Sequence, residues 1–122
     1  MPVRSWTLDI QTNGFSDIHN ITQKVQDFLK QSKFTSGVVT VFVPGSTAGI
    51  TTMEFENGVI ADFQKAIDRI APRTIHYDHD SRWGDGNGFA HVRAALLGPS
   101  ISVPFTDAAI LLGTWQQIVL VD

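Results

Sequence analysis

The chain contains no cysteine among its 122 residues. It therefore has no disulfide, no thiolate metal ligand and no cysteine nucleophile, and nothing argues for an oxidising compartment. Its chemistry must use oxygen and nitrogen groups or a bound cofactor. The length suits one domain, residues 1–122, which can bury about two thirds of its unfolded surface without a disulfide or a structural metal.

Long apolar runs, a leader pattern and clustered basic residues are also lacking. The longest apolar run is far shorter than the roughly 20 residues of a membrane-spanning helix, so we expect no membrane partner. No basic stretch followed by an apolar core opens the chain, and we therefore expect a cytoplasmic protein. A net charge of −3 without clusters of Lys or Arg disfavours nucleic acid as a partner.

Hydrophobic patterning predicts three elements in the first part of the chain. Residues 3–11 alternate between mainly large, apolar side chains and small or polar ones, which is typical of a half-buried strand. The segment NITQKVQDFLKQS has Asn20 as a candidate cap and apolar residues at helical spacing, and it predicts a first helix. Residues 37–45, GVVTVFVPG, are rich in β-branched residues and bounded by Gly and Pro-Gly, as in a buried strand.

The rest of the chain predicts two helices and three strands. NGVIADFQKAIDRIAP, from Asn57, predicts a second helix that ends before Pro72, and FAHVRAALLG predicts a short third helix that ends at Gly98. SISVPF, AILLG and QQIVLV predict three strands, with TDA as the turn between the first two. Because helices do not alternate regularly with strands, the order favours a compact α+β domain with packed, largely antiparallel or mixed sheets.

The stretch HYDHDSRWGDGNGFAHVRAALLG, residues 76–98, is rich in imidazole and carboxylate groups. Its candidate ligands are His76, His79, Asp85, Asn87 and His91. Imidazole with carboxylate suits Zn²⁺, whereas carboxylate, Asn and the phosphate oxygens of a substrate suit Mg²⁺. The spacing matches no established zinc pattern. The alternative is a solvated turn of Gly and Asp in which the histidines hydrogen-bond locally.

A second candidate segment is PGSTAGITTME, residues 44–54, which follows a predicted buried strand. Its backbone N–H groups and its hydroxyls, including those of Ser46, Thr47 and Thr51, can bind a phosphate or carboxylate, although the ending of a P-loop is missing. Glu54 can act as an acid, a base or a metal ligand. The alternative is a Gly-rich connection with Thr on a strand and a solvated Glu.

The third candidate segment is GTWQQ, residues 113–117, at the join of two apolar strands. Trp115 can stack on a flat ring, and Gln116 can recognise its hydrogen-bonding groups, which would suit a heteroaromatic ligand. The alternative is that the Trp belongs to the core of a sheet.

Three longer segments, VFVPGSTAGITTME, DGNGFAHVRAALLGPSISVPF and LLGTWQQIVLVD, together resemble the YjbQ-like family of secondary thiamine-phosphate synthases. The specific parts are DxNxxAH at Asp85, Asn87 and His91, LLGPS at 96–100 and GTWQ at 113–116. The resemblance covers nearly the whole chain. It implies a compact α+β domain with packed sheets and two main helices, a homotrimer, and thiamine phosphate synthesis as a secondary activity.

The resemblance also implies that the three segments meet at one pocket. Many relatives have His-Thr-Thr where this chain has Gly45-Ser46-Thr47, so a family histidine is missing and His79 and His91 are the main imidazoles. Relatives often continue beyond the position of Asp122, which implies either a short member or an edge that another subunit completes. The residues carried over are Thr47, Thr51, Glu54, His79, Asp85, Asn87, His91, Ser100, Thr114, Trp115 and Gln116.

Thiamine phosphate synthesis joins a pyrimidine methyl diphosphate to a thiazole phosphate and releases pyrophosphate. This chemistry requires donors or Mg²⁺ at the leaving diphosphate and a surface for the ring. Our hypothesis is therefore an enzyme of the transferase class that binds a phosphorylated small molecule. The assignments are Ser46, Thr47 and Ser100 to phosphate, Glu54, Asp85 and Asn87 to a metal or water, His79 and His91 to acid–base or metal duty, and Trp115 with Gln116 to the ring.

A divalent metal, Mg²⁺ or Zn²⁺, is the predicted cofactor, with His79, Asp85 and His91 as its candidate ligands. Two alternatives stay open. One is a noncatalytic trimeric protein that binds a metal or a small ligand. The other is a hydrolase that uses a metal-activated water at the two histidines.

Overall fold

Six strands and four helices form from residues 2–122, the residues that the computed structural model describes. In chain order they are β1 (Ile18–Asn20), α1 (Thr22–Ser32), β2 (Gly37–Phe42), β3 (Gly49–Glu54), α2 (Asn57–Ile70), α3 (Asp78–Trp83), α4 (Gly88–Leu97), β4 (Ser100–Thr106), β5 (Ala109–Ile110) and β6 (Gln116–Val121).

The strands form two antiparallel sheets of three strands each. The first sheet has the order β1-β6-β3, and the second has the order β2-β4-β5. β3 and β6 pair along their whole length, from Gly49 opposite Val121 to Glu54 opposite Gln116. The α+β class with packed antiparallel sheets is therefore confirmed, with α3 as a fourth helix that the pattern did not predict.

β6 is the central strand of the first sheet and is buried on both faces. Ile118 and Val119, neighbours that point to opposite faces, are each 0% exposed. One face of β6 belongs to a core that both sheets and α1 build together, with the members Ile21, Val25, Ile50, Val103, Ile118 and Leu120. The run QQIVLV is continuously apolar after its two glutamines because both faces must be buried.

The prediction of a strand at residues 3–11 is wrong. Residues 2–14 have no regular secondary structure, although Leu8 and Ile10 pack against the core and Trp6 stacks on Phe28 with ring centroids 5.7 Å apart. Alternation reports which side chains are buried, whereas a strand also requires a neighbour for its backbone hydrogen bonds. No strand among residues 2–122 pairs with this segment.

Two other segments are more ordered than their composition indicates. The candidate segment at 44–54 contains β3, whose Ile50 is buried in the core, so it is more than a Gly-rich connection. The polar loop at 76–87 contains α3, a helix of six residues that ends at Gly84 in the left-handed conformation. The turn predicted at TDA is confirmed, because Asp107 and Ala108 both have positive φ between β4 and β5, as the twist of a tight hairpin requires.

The longest helix, α2, begins at Asn57 as predicted, and the preceding residue caps it. The Glu56 carboxylate accepts hydrogen bonds from the backbone N–H groups of Gly58 at 2.8 Å and Val59 at 2.9 Å. These two donors hold the pKa of Glu56 below its ordinary value, and the N–H of Gly58 has the larger effect. Among residues 2–122, no helix has the length and apolarity that a membrane crossing requires.

We expect Glu56→Gln to lower stability at neutral pH, because the variant loses the charge that the first turn of α2 stabilises. A lowered folded-state pKa contributes stability that is present above the unfolded pKa and is lost as pH falls through the folded pKa. The difference in the free energy of unfolding between wild type and variant should therefore be largest near neutral pH. It should disappear under acidic conditions. Urea unfolding over a pH series measures it, with Glu54→Gln, which caps no helix, as control.

Candidate functional site

His79 and His91 lie side by side, although they are twelve positions apart in the sequence. Their ring centroids are 4.5 Å apart and their planes are tilted by 42°. α3 carries His79 and α4 carries His91, and both side chains are partly buried. We call these two residues the histidine pair. The prediction singled out both as the main imidazoles.

Asp80 and Gly88 hold α3 against the start of α4. Asp80 Oδ1 accepts a hydrogen bond from the backbone N–H of Gly88 at 2.9 Å, and it lies 3.4 Å from His79 Nδ1. A Cβ at Gly88 would lie 2.6 Å from the Cβ of Tyr77, so the approach is possible only for glycine. The sequence offered no reason to separate Asp80 from the other aspartates of its loop, and its role was missed.

A cavity of about 250 Å³ opens beside the histidine pair. We call it the histidine cavity, and its lining includes Gly45, Ser46, His91, Ala95 and Pro99. A Cβ at Gly45 would meet nothing within 4 Å, so this wall is open at the position where the resemblance indicated a missing histidine. Two of the three predicted segments therefore do meet in space, and Ser100 lies next to Pro99 at their edge.

A second cavity, of about 220 Å³, adjoins the first, and Ala94 lines both. We call it the arginine cavity. Two predicted residues, Thr47 and Asn87, line it together with residues that the sequence did not single out, among them Phe15, Ser16, Phe89, Ala90 and Arg93.

Arg93 is the most buried charged residue of this region, with a side chain that is 6% exposed. Its Nε donates to the carbonyl oxygen of Ala71 at 3.0 Å, its Nη1 to the hydroxyl of Ser16 at 3.0 Å, and its Nη2 to Asp68 Oδ1 at 2.8 Å. The sequence signal was present but weak, since an Arg four positions after Phe89 lies on the same side of a helix as a buried aromatic residue.

Glu54, Trp115 and Gln116 lie at the opposite end of the first sheet. Glu54 pairs with Gln116 where β3 ends and β6 begins, five residue steps, or about 17 Å, from Gly49. Trp115 is 72% exposed rather than a core residue. Gln116 Nε2 donates to the hydroxyl of Thr52 at 3.0 Å. Thr51 lies on the other face of β3 from Thr52.

Within one chain the predicted residues therefore form two groups instead of one pocket. The first group is at the histidine and arginine cavities, and the second is at the GTWQ segment with Glu54 and Thr114. Asp85 is exposed in the turn between α3 and α4. Across residues 2–122, no three His, Asp or Glu side chains are grouped so that they could hold a metal ion, so Asp85 does not complete a ligand set with the histidine pair.

Comparison with known proteins identifies relatives along nearly the whole chain. A family model described as UPF0047 protein YjbQ-like matches residues 6–122. UPF0047 protein YugU of Bacillus subtilis is 33% identical over 114 residues, which are 92% of this chain and 83% of that protein.

Two solved structures have the same fold. A YjbQ/UPF0047 family protein from Clostridium acetobutylicum matches with a TM-score of 0.84 at 31% identity, over 92% of this chain and 84% of that one. A YbjQ-like protein of unknown function from Sulfolobus solfataricus matches with a TM-score of 0.86 at 29% identity, over 92% and 80%.

We expect Gly88→Ala to destabilise the protein by about 1–3 kcal/mol, because the added methyl group forces Tyr77 and α4 apart. The better helix propensity of Ala offsets only part of this loss. Chemical unfolding measures the change. Gly113→Ala is the matched control, since its Cβ would meet nothing closer than 3.7 Å, and equal stability losses in the two variants would contradict the packing that we describe.

Proposed function

The chain belongs to the YjbQ-like UPF0047 family, and we propose that it is an enzyme that acts on a phosphorylated small molecule. The reaction to test first is thiamine phosphate synthesis, which the family resemblance implies. In that reaction the ring nitrogen of a thiazole phosphate forms a bond to the methylene carbon of a pyrimidine methyl diphosphate. The bond between that carbon and the diphosphate oxygen breaks, and pyrophosphate leaves.

The histidine pair beside its cavity is the observation that supports this proposal most. Imidazole can give or take a proton near neutral pH, and a protonated imidazole can donate to a departing diphosphate oxygen. His91 lines the cavity, and the ring of His79, which is not among the lining residues, lies against that of His91 with centroids 4.5 Å apart. We therefore assign to His91 the proton transfer with the reacting group. His79 orients His91 and exchanges a proton with it.

The segment at Gly45 and Ser46 supports a phosphorylated substrate. Gly45 and Ser46 line the cavity together with His91. A hydroxyl and backbone N–H groups are suitable donors for phosphate oxygens. Gly45 leaves space where a side chain would otherwise narrow the cavity. The role proposed for Ser100 follows from its place after Pro99, which lines the same cavity.

A divalent cation, Mg²⁺ or Zn²⁺, stays a prediction. A catalytic zinc ion usually has three protein ligands, and the histidine pair supplies two within residues 2–122. The side chains of one chain therefore do not fit a complete metal site, and the acid–base roles proposed above involve no metal. Any cation would need further ligands from substrate phosphate oxygens or from another subunit.

We expect His91→Ala to lower the rate of pyrophosphate release from the two thiamine precursors by about 10²–10⁴-fold, the usual contribution of a general acid. His79→Ala should lower this rate less, since His79 acts through His91. His76→Ala is the matched control, because His76 belongs to the same segment but contacts Ser81 and Asp78 and not the histidine pair. A full rate in a folded His91→Ala protein would refute the assignment.

The same assay separates the alternatives. Release of phosphate or pyrophosphate from one precursor alone would indicate a hydrolase, and binding of a precursor without turnover would indicate a noncatalytic binding protein. Metal analysis of the purified protein, followed by turnover after treatment with a chelator, tests the predicted Mg²⁺ or Zn²⁺.

We also propose that the chain assembles as a homotrimer and that neighbouring subunits complete the site. A single chain keeps the GTWQ segment and Glu54 at one end of the first sheet and the histidine pair at the other. Trp115 is largely exposed in the isolated chain and therefore offers a ring surface to a ligand or to another subunit. A rotational assembly brings one surface of each subunit against a different surface of the next, so it can join the two ends.

Exposed apolar side chains support an assembly. Val38 and Phe42 lie on the outer side of β2 and are 65% and 61% exposed. Pro104 lies opposite Val38 on β4, and Leu111 follows β5 with more than half of its surface exposed. The hydrogen-bonded hydroxyls of Thr40 and Ser102 lie between Val38 and Phe42, so these apolar side chains form two small areas with a polar pair between them. Exposed apolar areas on a sheet face, bordered by polar groups, are typical of a protein interface.

We expect two inactive variants, His91→Ala and Trp115→Ala, to restore activity when they are co-expressed in one assembly. If each site takes its histidine pair from one subunit and its Trp from the next, random mixing leaves about one quarter of the sites intact. Light scattering measures the mass of the assembly, and pyrophosphate release measures recovery. A monomer, full activity of Trp115→Ala alone, or no recovery in the mixed assembly would each contradict the shared site.

A further inference from the structure

Asp80 contacts both of the elements that carry the histidine pair. Its Oδ1 accepts a hydrogen bond from the backbone N–H of Gly88 at 2.9 Å, and the same oxygen lies 3.4 Å from His79 Nδ1. The Asp80 side chain is 27% exposed, so most of it is shielded from water. One carboxylate oxygen therefore connects the ring of His79 with the first residue of α4, the helix that carries His91.

The position of α3, and with it that of His79, depends on this carboxylate. None of the six residues of α3 is buried, so the burial of apolar side chains does not fix the helix in place. A helix of this length is also too short to be stable by its own hydrogen bonds. Against α4 it is held by the hydrogen bond from Gly88 to Asp80 and by the close approach of Tyr77 to Gly88.

The start of α4 depends on the same carboxylate. Asn87 precedes the helix and makes no side-chain cap hydrogen bond, so Asp80 provides an acceptor for the first N–H from a different helix. Its negative charge at this end also interacts favourably with the dipole of α4. His91 follows Gly88 by three positions, within the first turn. Its place beside His79 therefore follows from the place where α4 starts.

A carboxylate beside a ring nitrogen selects one tautomer of a neutral imidazole. A carboxylate only accepts hydrogen bonds, whereas one ring nitrogen of a neutral histidine donates and the other accepts. Asp80 therefore favours the form of His79 with its proton on Nδ1, and Nε2 is then the acceptor. The separation of 3.4 Å exceeds the usual value of about 2.9–3.0 Å, and such bonds at active sites often shorten when a substrate binds.

We infer that Asp80 is a positioning residue of the proposed reaction. It holds the His79 ring with its proton on Nδ1, and it holds the start of α4 where His79 and His91 touch. Nε2 of His79 is then the nitrogen that exchanges a proton with His91. Asp80 does not line the histidine cavity, so it acts through His79 and not on the substrate. The inference deepens the proposed function and rests on it for the roles of the two histidines.

Asp80→Asn separates this role from a merely structural one. The amide oxygen of Asn can still accept from Gly88, and Asn caps a helix as well as Asp does, so we expect little change in the urea midpoint of unfolding. An amide both donates and accepts, however, and therefore no longer selects one tautomer of His79. We expect kcat for pyrophosphate release to fall by about 10–100-fold with KM nearly unchanged, as for the loss of other groups that orient a functional histidine.

Asp78→Asn is the matched control. It is the same substitution on the same helix, but Asp78 is fully exposed and lies 3.5 Å from His76, away from the histidine pair. This variant should keep the kcat of wild type. Asp80→Ala should lose at least as much activity as Asp80→Asn and should also unfold at lower urea, because the N–H of Gly88 loses its acceptor. A folded Asp80→Asn protein with the kcat of wild type would overturn the inference.

The tautomer of His79 can be measured without substrate. The ¹⁵N chemical shifts of its ring, recorded in an alkaline buffer in which histidine rings carry no charge, report which nitrogen holds the proton. We expect the proton on Nδ1 in wild type and in Asp78→Asn, and a mixture of tautomers in Asp80→Asn. A proton on Nε2 in wild type, or the same tautomer in wild type and Asp80→Asn, would contradict the inference.

Turnover and tautomer fail independently in this design. Wild-type protein that releases no pyrophosphate from the two precursors, but has the proton of His79 on Nδ1, would refute the proposed function and leave Asp80 as the residue that orients the pair. Full turnover in wild type, together with an unchanged kcat in folded Asp80→Asn, would support the proposed function and refute the positioning role.

Discussion

The pairing of β3 with β6 is the constraint on which the position of every candidate functional residue depends. One end of this pair leads into the Ser46–Thr47 segment beside α4, and the other end carries the GTWQ segment. A slip of one residue would turn Ile50 and Ile118 out of the core, because side chains alternate between the two faces of a strand. The burial of these apolar side chains therefore also sets the distance between the two groups of polar residues.

α4 divides the chemistry at its end of the sheet. Ala90 and Arg93 line one cavity, His91 and Ala95 line the other, and Ala94 lines both. This division follows from helical geometry, since residues three or four apart lie on the same side of a helix. A single helix thus presents an imidazole to one cavity and a guanidinium to the other, with Ala94 in the wall of both.

Much of the fold could be predicted because its signals are local. The apolar stripe of α2, the tight turn at Asp107 and Ala108 and the run of β6 each depend on neighbouring residues. Residues 3–11 misled the prediction because alternation does not reveal whether a strand has a partner. Arg93 was missed for a similar reason: its three acceptors come from segments between 22 and 77 positions away, and no local pattern reports them.

The sequence by itself determined the α+β class, the family and the residue types available for chemistry, because hydrophobic period and short motifs are properties of neighbouring residues. Only the tertiary structure decided which of these residues meet. It brought His79 to His91, separated both from Trp115 and left Asn87 with a buried acceptor. The physical reason is that strand register and helix packing, which depend on burial along the whole chain, set the distances between distant side chains.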